Sequence, residues 1–455
     1  MLARDMTKGS PIRHLIGFAI PVLIGNLFQN LYNIVDSMIV GRYLGVDALA
    51  AVGSVGILFF CTQGLAIGMT SGFGVIFSQY YGGKQESEMR HHVAVAIWVS
   101  VVYAAIITAI LFVVIEPVMG LMNVSEKIYG DALIYARICF AGFIATISYN
   151  FIAATARAIG DSRSPLYFLI FSSLLNVVLD IVMIRAFHMG VAGAALATVL
   201  SQLVSAVLSG IYMVKCYPIL RVTKAEARFR LESAARLLKI GIPMALQFFI
   251  TSLGGIVLQS VTNKLGEIAI AAHLAGMKTE RLVEELGIAM GAALATYVGQ
   301  NVGAGEKERI QKGVRQGMLV ILAASVVMGA FFWVFGKYAG LLFLSESNAE
   351  LMALLDTYFH VVTWAFIPLG MIFVYRNALQ GLGDGFFPML GGAFELLGRI
   401  AAVVLIGTSR GFAGICSAHV FAWTAAVIPL VPVYYIRIHR FPDKQKLEGK
   451  EALDL

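Results

Sequence analysis

Residues 48–83 read ALAAVGSVGILFFCTQGLAIGMTSGFGVIFSQYYGG, an uninterrupted stretch without a charged side chain between Asp47 and Lys84. About 20 apolar residues suffice to carry a helix across the hydrocarbon core of a bilayer, so this stretch holds one complete span. Its glycines suit a helix packed closely against others, because small residues let backbones approach in lipid. The same signature recurs along the chain. Charge-free runs lie between Arg137 and Arg157, Arg185 and Lys215, Lys239 and Lys264, Gln316 and Lys337, Asp356 and Arg376, and Arg410 and Arg437. Shorter or interrupted apolar runs occupy 12–40, 92–115, 165–187, 267–302 and 386–408. Together they make twelve spans. The expected fold is an all-α polytopic membrane protein.

Composition agrees. The chain has 455 residues, of which 59% are hydrophobic and 13% charged, with a mean hydropathy of +0.81. That charge content is half the roughly 25% of a soluble domain and excludes an ordinary cytosolic enzyme. Eleven scattered prolines argue against a disordered or collagen-like chain. The four cysteines, Cys61, Cys139, Cys216 and Cys416, stand singly, without the paired spacing of a metal site or disulfide framework. The first apolar run lacks a small-residue cleavage site and carries polar residues to its end, so it reads as a span and not a removed signal.

The net charge of +7 has an explanation in topology and implies no nucleic-acid partner. An even number of spans puts both termini on one side. That side carries 24 of the 34 Lys and Arg, and the opposite loops only Arg42, Lys127, Arg185, Lys264, Lys337 and Arg410. Arg137, Lys278, Arg281 and Arg399 fall inside spans. The positive-inside rule places both termini in the cytoplasm of a plasma membrane.

The sequence also repeats itself. At a spacing of 221, Leu44, Gly45, Ala50, Ala51, Ile67, Met69, Gln79 and Gly82 recur as Leu265, Gly266, Ala271, Ala272, Ile288, Met290, Gln300 and Gly303. At 223, Tyr135, Gly160, Asp161 and Pro165 recur as Tyr358, Gly383, Asp384 and Pro388. Each repeat holds six spans, so the halves face the same way, a transporter arrangement with a central site. The expected division is a six-helix lobe over 1–217, a cytoplasmic connection over 218–239, a second six-helix lobe over 240–440 and a tail over 441–455. Within the connection, Ala225 to Lys239 is expected to form a surface helix.

Polar residues inside the spans locate the chemistry. In the first span Asn26, Gln29, Asn30, Asn33, Asp36 and Ser37 fall within an arc of about 120° on a helix. Such a stripe cannot face lipid, where unsatisfied polar groups are costly. Interhelical hydrogen bonding explains the amides as well as function does. For Asp36 it explains less, since intramembrane carboxylates are rare and mark ion or substrate pathways. The fifth span carries Ser172, Asn176 and Asp180 along one face; the sixth carries Thr198, Ser201, Gln202 and Ser205. If these helices pack around the first, two carboxylates, an amide and a hydroxyl converge. Such oxygen ligands suit a small hard cation, and either carboxylate could instead carry a proton.

The second half differs. Its eighth span holds Lys278, Glu280, Arg281, Glu284 and Glu285, and its eleventh holds Glu395 and Arg399 at i, i+4. Offset Arg–Glu pairs can neutralise one another within a bundle, which is the structural alternative to substrate contact or gating. Gln29, Asn30, Asn33, Gln202, Glu280, Arg281, Glu284, Glu285, Glu395 and Arg399 are therefore candidates for contacting substrate or gating. Intramembrane acids outnumber bases, which favours cationic cargo.

Other chemistries fail. Gly82-Gly83-Lys84 lacks the rest of a nucleotide-binding loop, so intrinsic ATP hydrolysis is not expected. No paired-histidine metal spacing appears, and His91-His92 reads as an interfacial cap. No catalytic cluster marks an enzyme, and no cofactor is expected beyond a coupling ion.

These residues resemble a known family. Ile20-Pro21 opening the first span, Asp36-x-x-x-Val40-Gly41 closing it, the repeated Gly160-Asp161-x-x-x-Pro165 turn, Asn176-x-x-x-Asp180 and Thr198 are similar to bacterial multidrug and toxin extrusion (MATE) transporters over nearly the full length. The resemblance implies a two-lobed, V-shaped carrier, expected to act as a monomer, exporting cationic amphipathic compounds in exchange for Na+ or H+. It implies that Asp36, Asn176, Asp180 and Thr198 form the coupling site, with no metal beyond a sodium ion at Asp36 and Asp180. A branch of the family has an acidic cation site on the seventh and tenth spans. Here the seventh span has no acid, and the tenth none between Asp356 and Asp384, so that site does not transfer. The rival reading is a flippase for lipid-linked sugars or cell-wall precursors, whose anionic cargo asks for a more basic cavity.

Overall fold

The structure is a computed structural model describing residues 3–344 and 348–442; the tail expected over 441–455 lies outside the described residues from 443 onward. All regular structure among them is helical. In order come α1 (Pro11–Leu44), the short α2 (Val46–Ser54), α3 (Gly56–Gly82), α4 (Glu86–Leu121), α5 (Glu126–Ala141), α6 (Phe143–Ala158), α7 (Arg163–Ile181) and α8 (Gly190–Cys216). They are followed by α9 (Leu231–Thr262), α10 (Glu267–Gly303), α11 (Lys307–Leu341), α12 (Ala349–Val362), α13 (Phe366–Gly381), α14 (Phe386–Ala402) and α15 (Thr408–Arg440). Eleven helical stretches are long and apolar enough to cross a membrane, with α12 and α13 forming one of them. The pair α5 and α6, bent by 46°, makes the twelfth. Outward faces are apolar: on α4, Val102 is 57% and Val113 76% exposed. Such a surface is an aggregation liability in water and costs nothing against lipid tails.

Two compact units emerge. One holds Ile24–Gly241 and the N-terminal residues through Asp5; the other holds Met6–Leu23 and the chain from Ile242 on. A cut at 217 and 240 differs from this in two places. Helix α1 starts in the second unit, where Leu15 and Phe18 are buried in its core. Helix α9 starts in the first, where Ser233 and Leu237 are buried. The surface helix expected over Ala225–Lys239 is not found. Ala227 N donates to Thr223 O (3.0 Å), closing a turn, and the helix beginning at Leu231 runs on as α9. Glu226 holds that turn by accepting from Thr223 N and Thr223 Oγ1, both at 2.9 Å. His91 is likewise no cap. It is buried in α4, with Nδ1 2.9 Å from Glu226 O and Nε2 2.9 Å from Ser233 Oγ.

The duplication is written in the backbone. Gly45 and Gly266 precede α2 and α10 at φ +88° and +94°; Gly160 and Gly383 precede α7 and α14 at φ +82° and +90°. Only glycine adopts this region without strain. Asp161 Oδ1 then accepts from Arg163 N and Ser164 N, and Asp384 Oδ1 from Phe386 N and Phe387 N, each satisfying otherwise unpaired first-turn donors. Helices α7 and α14 both pass into a π turn, at Val182–Ala186 and Val403–Gly407.

Candidate functional site

In the first unit, α7 turns one face inward. Ser172, Asn176 and Asp180, spaced four residues apart, are all buried, and α7 packs along α8. This packing sets Asn176 against Thr198. With its amide oriented to satisfy its neighbours, Asn176 donates to Asp180 Oδ2 (2.9 Å) and Tyr32 Oη (3.2 Å) and accepts from Thr198 N (3.1 Å). Thr198 Oγ1 donates to Ala194 O at 3.1 Å. From α1, Asp36 reaches the same place, its carboxyl beside that of Asp180. The structure therefore brings Asp36, Asn176, Asp180 and Thr198 together.

Electrostatics define what the cluster can hold. Two facing carboxyl groups cannot both stay ionised without an intervening positive charge. Asp36 Oδ1 and Asp180 Oδ1 are both buried and without a hydrogen-bond partner. Those open valences, with the Asn176 carbonyl and Thr198 beside them, fit a proton or one small hard cation. Among the described residues no group of three or more His, Cys, Asp or Glu is arranged to hold a metal. The π turn following Asp180 interrupts α-helical pairing beside the cluster, as such turns often do near functional groups.

Two further polar pairs of the first unit bond within themselves. Gln29 Nε2 donates to Asn33 Oδ1 at 3.3 Å along α1, where Asn30 is half-buried and Asn33 exposed. Gln202 Oε1 accepts from Thr146 Oγ1 at 2.6 Å, between α8 and α6. Tyr32 was missed in the sequence; it sits one turn before Asp36 on the polar stripe, and that spacing was the available signal.

In the second unit the charged residues mostly pair with one another. Arg399 Nη2 lies 3.1 Å from Glu395 Oε1, and Arg281 Nε 3.4 Å from Glu285 Oε1. Glu284 is half-buried one turn beyond Glu280. Glu280 itself is buried, accepts from the Tyr358 hydroxyl and lies 3.5 Å from His419 Nδ1. Sequence reasoning missed His419 and His273. Both are fully interior, whereas histidine in a span gives no signal of its own beyond a helical spacing, here i, i+7 from His273 to Glu280.

Known proteins resemble this chain in sequence and fold. A sequence model of the MatE family matches residues 21–182 and again 243–404, one match in each repeat. The probable multidrug resistance protein YpnP of Bacillus subtilis is 29% identical over 387 residues, covering 84% of this chain and 85% of that protein. The multidrug export protein MepA of Staphylococcus saprophyticus is 22% identical over 97% of each chain. A crystal structure of MATE in the bent conformation superposes with a TM-score of 0.88 at 23% identity, over 98% of both chains. At that identity, the structural likeness speaks for the fold alone.

Proposed function

The chain belongs to the MatE family, and from that premise we propose that it is a secondary active multidrug exporter, exchanging cationic amphipathic compounds for Na+ or H+ by alternating access. The observation that carries this reading is the Asp36–Asp180 pair, each carboxyl with one oxygen buried and unpartnered, beside Asn176 and Thr198. The names of the relatives above, a probable multidrug resistance protein and a multidrug export protein, support export of small molecules.

In this mechanism Asp36 and Asp180 take the coupling cation, and Asn176 and Thr198 orient them or add neutral oxygen ligands. Burial disfavours two bare charges, and the incoming cation relieves that cost. Pro21 lies inside α1, where it removes a backbone hydrogen bond and makes a natural place to bend. Cation entry repacks α1 around Pro21 and lowers affinity for cargo; by linkage, cargo weakens cation binding by the same factor. The excess of acids over bases within the spans suits positively charged cargo.

The test is drug efflux at matched expression. Export should collapse when the Na+ and H+ gradients are dissipated at constant ATP. Asp36→Asn keeps shape and removes the charge, so it should reduce efflux to background with insertion intact, and Asp180→Asn nearly so. Wild-type efflux from the well-expressed Asp36→Asn, Asp180→Asn double variant would place coupling elsewhere.

A further inference from the structure

The second unit contains a titratable cluster that the carboxyl pair of the first unit does not use. Its centre is Glu280 on α10, 3% exposed. The arginines near it are engaged elsewhere, Arg281 with Glu285 and Arg399 with Glu395. Glu280 has instead the Tyr358 hydroxyl on one oxygen and His419 Nδ1 at 3.5 Å from the other. A buried carboxylate without a positive partner is costly, and one neutral hydroxyl offsets only part of that cost.

The two imidazoles around it are in the opposite situation. His419 is 3% exposed and His273 fully buried, and none of their four ring nitrogens has a hydrogen-bond partner. Their rings sit among aromatics: His273 lies 5.7 Å from Tyr358 and 6.4 Å from Phe412, and His419 lies 5.3 Å from Trp423, centroid to centroid. A phenylalanine would fill such positions without leaving polar atoms unsatisfied. Buried polar groups are almost always paired, so unpaired ones ask for an explanation. The Glu280 oxygen and the His419 nitrogen, 3.5 Å apart, stand just beyond ordinary hydrogen-bonding distance, so a small approach would let them share a proton.

We propose that Glu280 and His419 form a proton-binding pair in the second unit, with the His273 ring adjacent, 6.1 Å from that of His419 centroid to centroid. Uptake of one proton from water by the His419 imidazole beside the Glu280 carboxylate takes the pair from a charge of −1 to zero. The groups facing the pair are Glu284 and His273 on α10, Tyr358 on α12, Cys416 on α15 and Arg399 on α14. On α13, Arg376 faces Glu284 and Glu395. Tyr358 is held in place by the absence of a side chain at Gly276, where a Cβ would stand 2.7 Å from Tyr358 Cδ1. Any part the pair plays in transport rests on the exporter reading; its binding of a proton does not.

Trp423 supplies the probe. In the full chain purified with Trp98, Trp333 and Trp364 replaced by Phe, protonation of the neighbouring imidazole should quench Trp423 emission in one step as pH falls. His419→Gln should abolish the step. Glu280→Gln and Tyr358→Phe should each move its midpoint by at least about one pH unit, a tenfold change in proton affinity. Asp36→Asn with Asp180→Asn should leave it in place. If a charge change at Glu280 or His419 prevents folding, Tyr358→Phe alone decides. A flat titration between about pH 4 and pH 9, or a midpoint that Tyr358→Phe leaves unmoved, overturns the proposal. A titrating pair in a protein that exports nothing would sink the exporter reading and leave the pair standing. Gradient-driven export with a flat titration would do the reverse.

Discussion

A methyl group at Gly276 has nowhere to go, because the Tyr358 ring occupies the space. Gly276→Ala should therefore destabilise the protein by about 1–3 kcal/mol through overpacking. Gly255→Ala meets nothing within 4 Å and should be neutral or stabilising, since alanine is the better helix former. Thermal unfolding of the two variants compares them; equal melting temperatures would mean that Tyr358 moves aside freely. At this scale legibility was uneven. Asp36 and Asp180 stood out because acids are rare in apolar runs. Tyr32, His273 and His419 did not, because aromatic and imidazole side chains serve core packing equally well and only neighbours reveal which role applies.

Among elements, the connection after α8 shows how a short segment is held. Its Glu226 is the common partner of Thr223, Arg90 and Ser87. The Thr223 N–H, followed by the Thr223 hydroxyl, the Arg90 guanidinium and the Ser87 hydroxyl, holds the Glu226 carboxyl down at about 2, below the usual carboxylate range. A depressed value means that the carboxylate's contribution is fully present above about pH 4.5 and is lost as pH falls toward about 2. Hydrogen exchange at the Thr223 amide, corrected for intrinsic rates, should show constant protection at neutral pH that declines across that window. Glu226→Gln should lower protection at pH 7 and remove the acid dependence. Unchanged wild-type protection near pH 2 would show that the turn does not depend on this carboxylate. The composition of 225–239 suggested a helix. The turn prevails because these bonds end helical pairing before Leu231, and the buried Ser233 and Leu237 tie the start of α9 to the first unit.

For the whole molecule, the 24-to-6 bias in basic residues supports a proposed orientation with both termini and the 218–239 connection in the cytoplasm. Cysteine labelling at position 224 should then occur only from inside and at position 337 only from outside. Labelling of both from one side would sink the twelve-span topology.

The class of fold was determined by the sequence alone, because a bilayer tolerates few solutions and each span must be a long apolar helix. The repeat was equally legible, since Gly160-Asp161 and Gly383-Asp384 are local turn chemistry that needs no distant partner. What only the tertiary structure decided is which helix segments share a core. Residues 6–23 lie at the start of the first half in sequence yet belong with the second unit, because Leu15 and Phe18 bury themselves there. Tertiary structure likewise decided which polar groups meet. Asp36 is 144 residues from Asp180, and Glu280 is 139 from His419. Periodicity assigns each side chain to a face of its own helix but carries no information about which face lies opposite; that depends on side-chain packing between helices far apart in the chain.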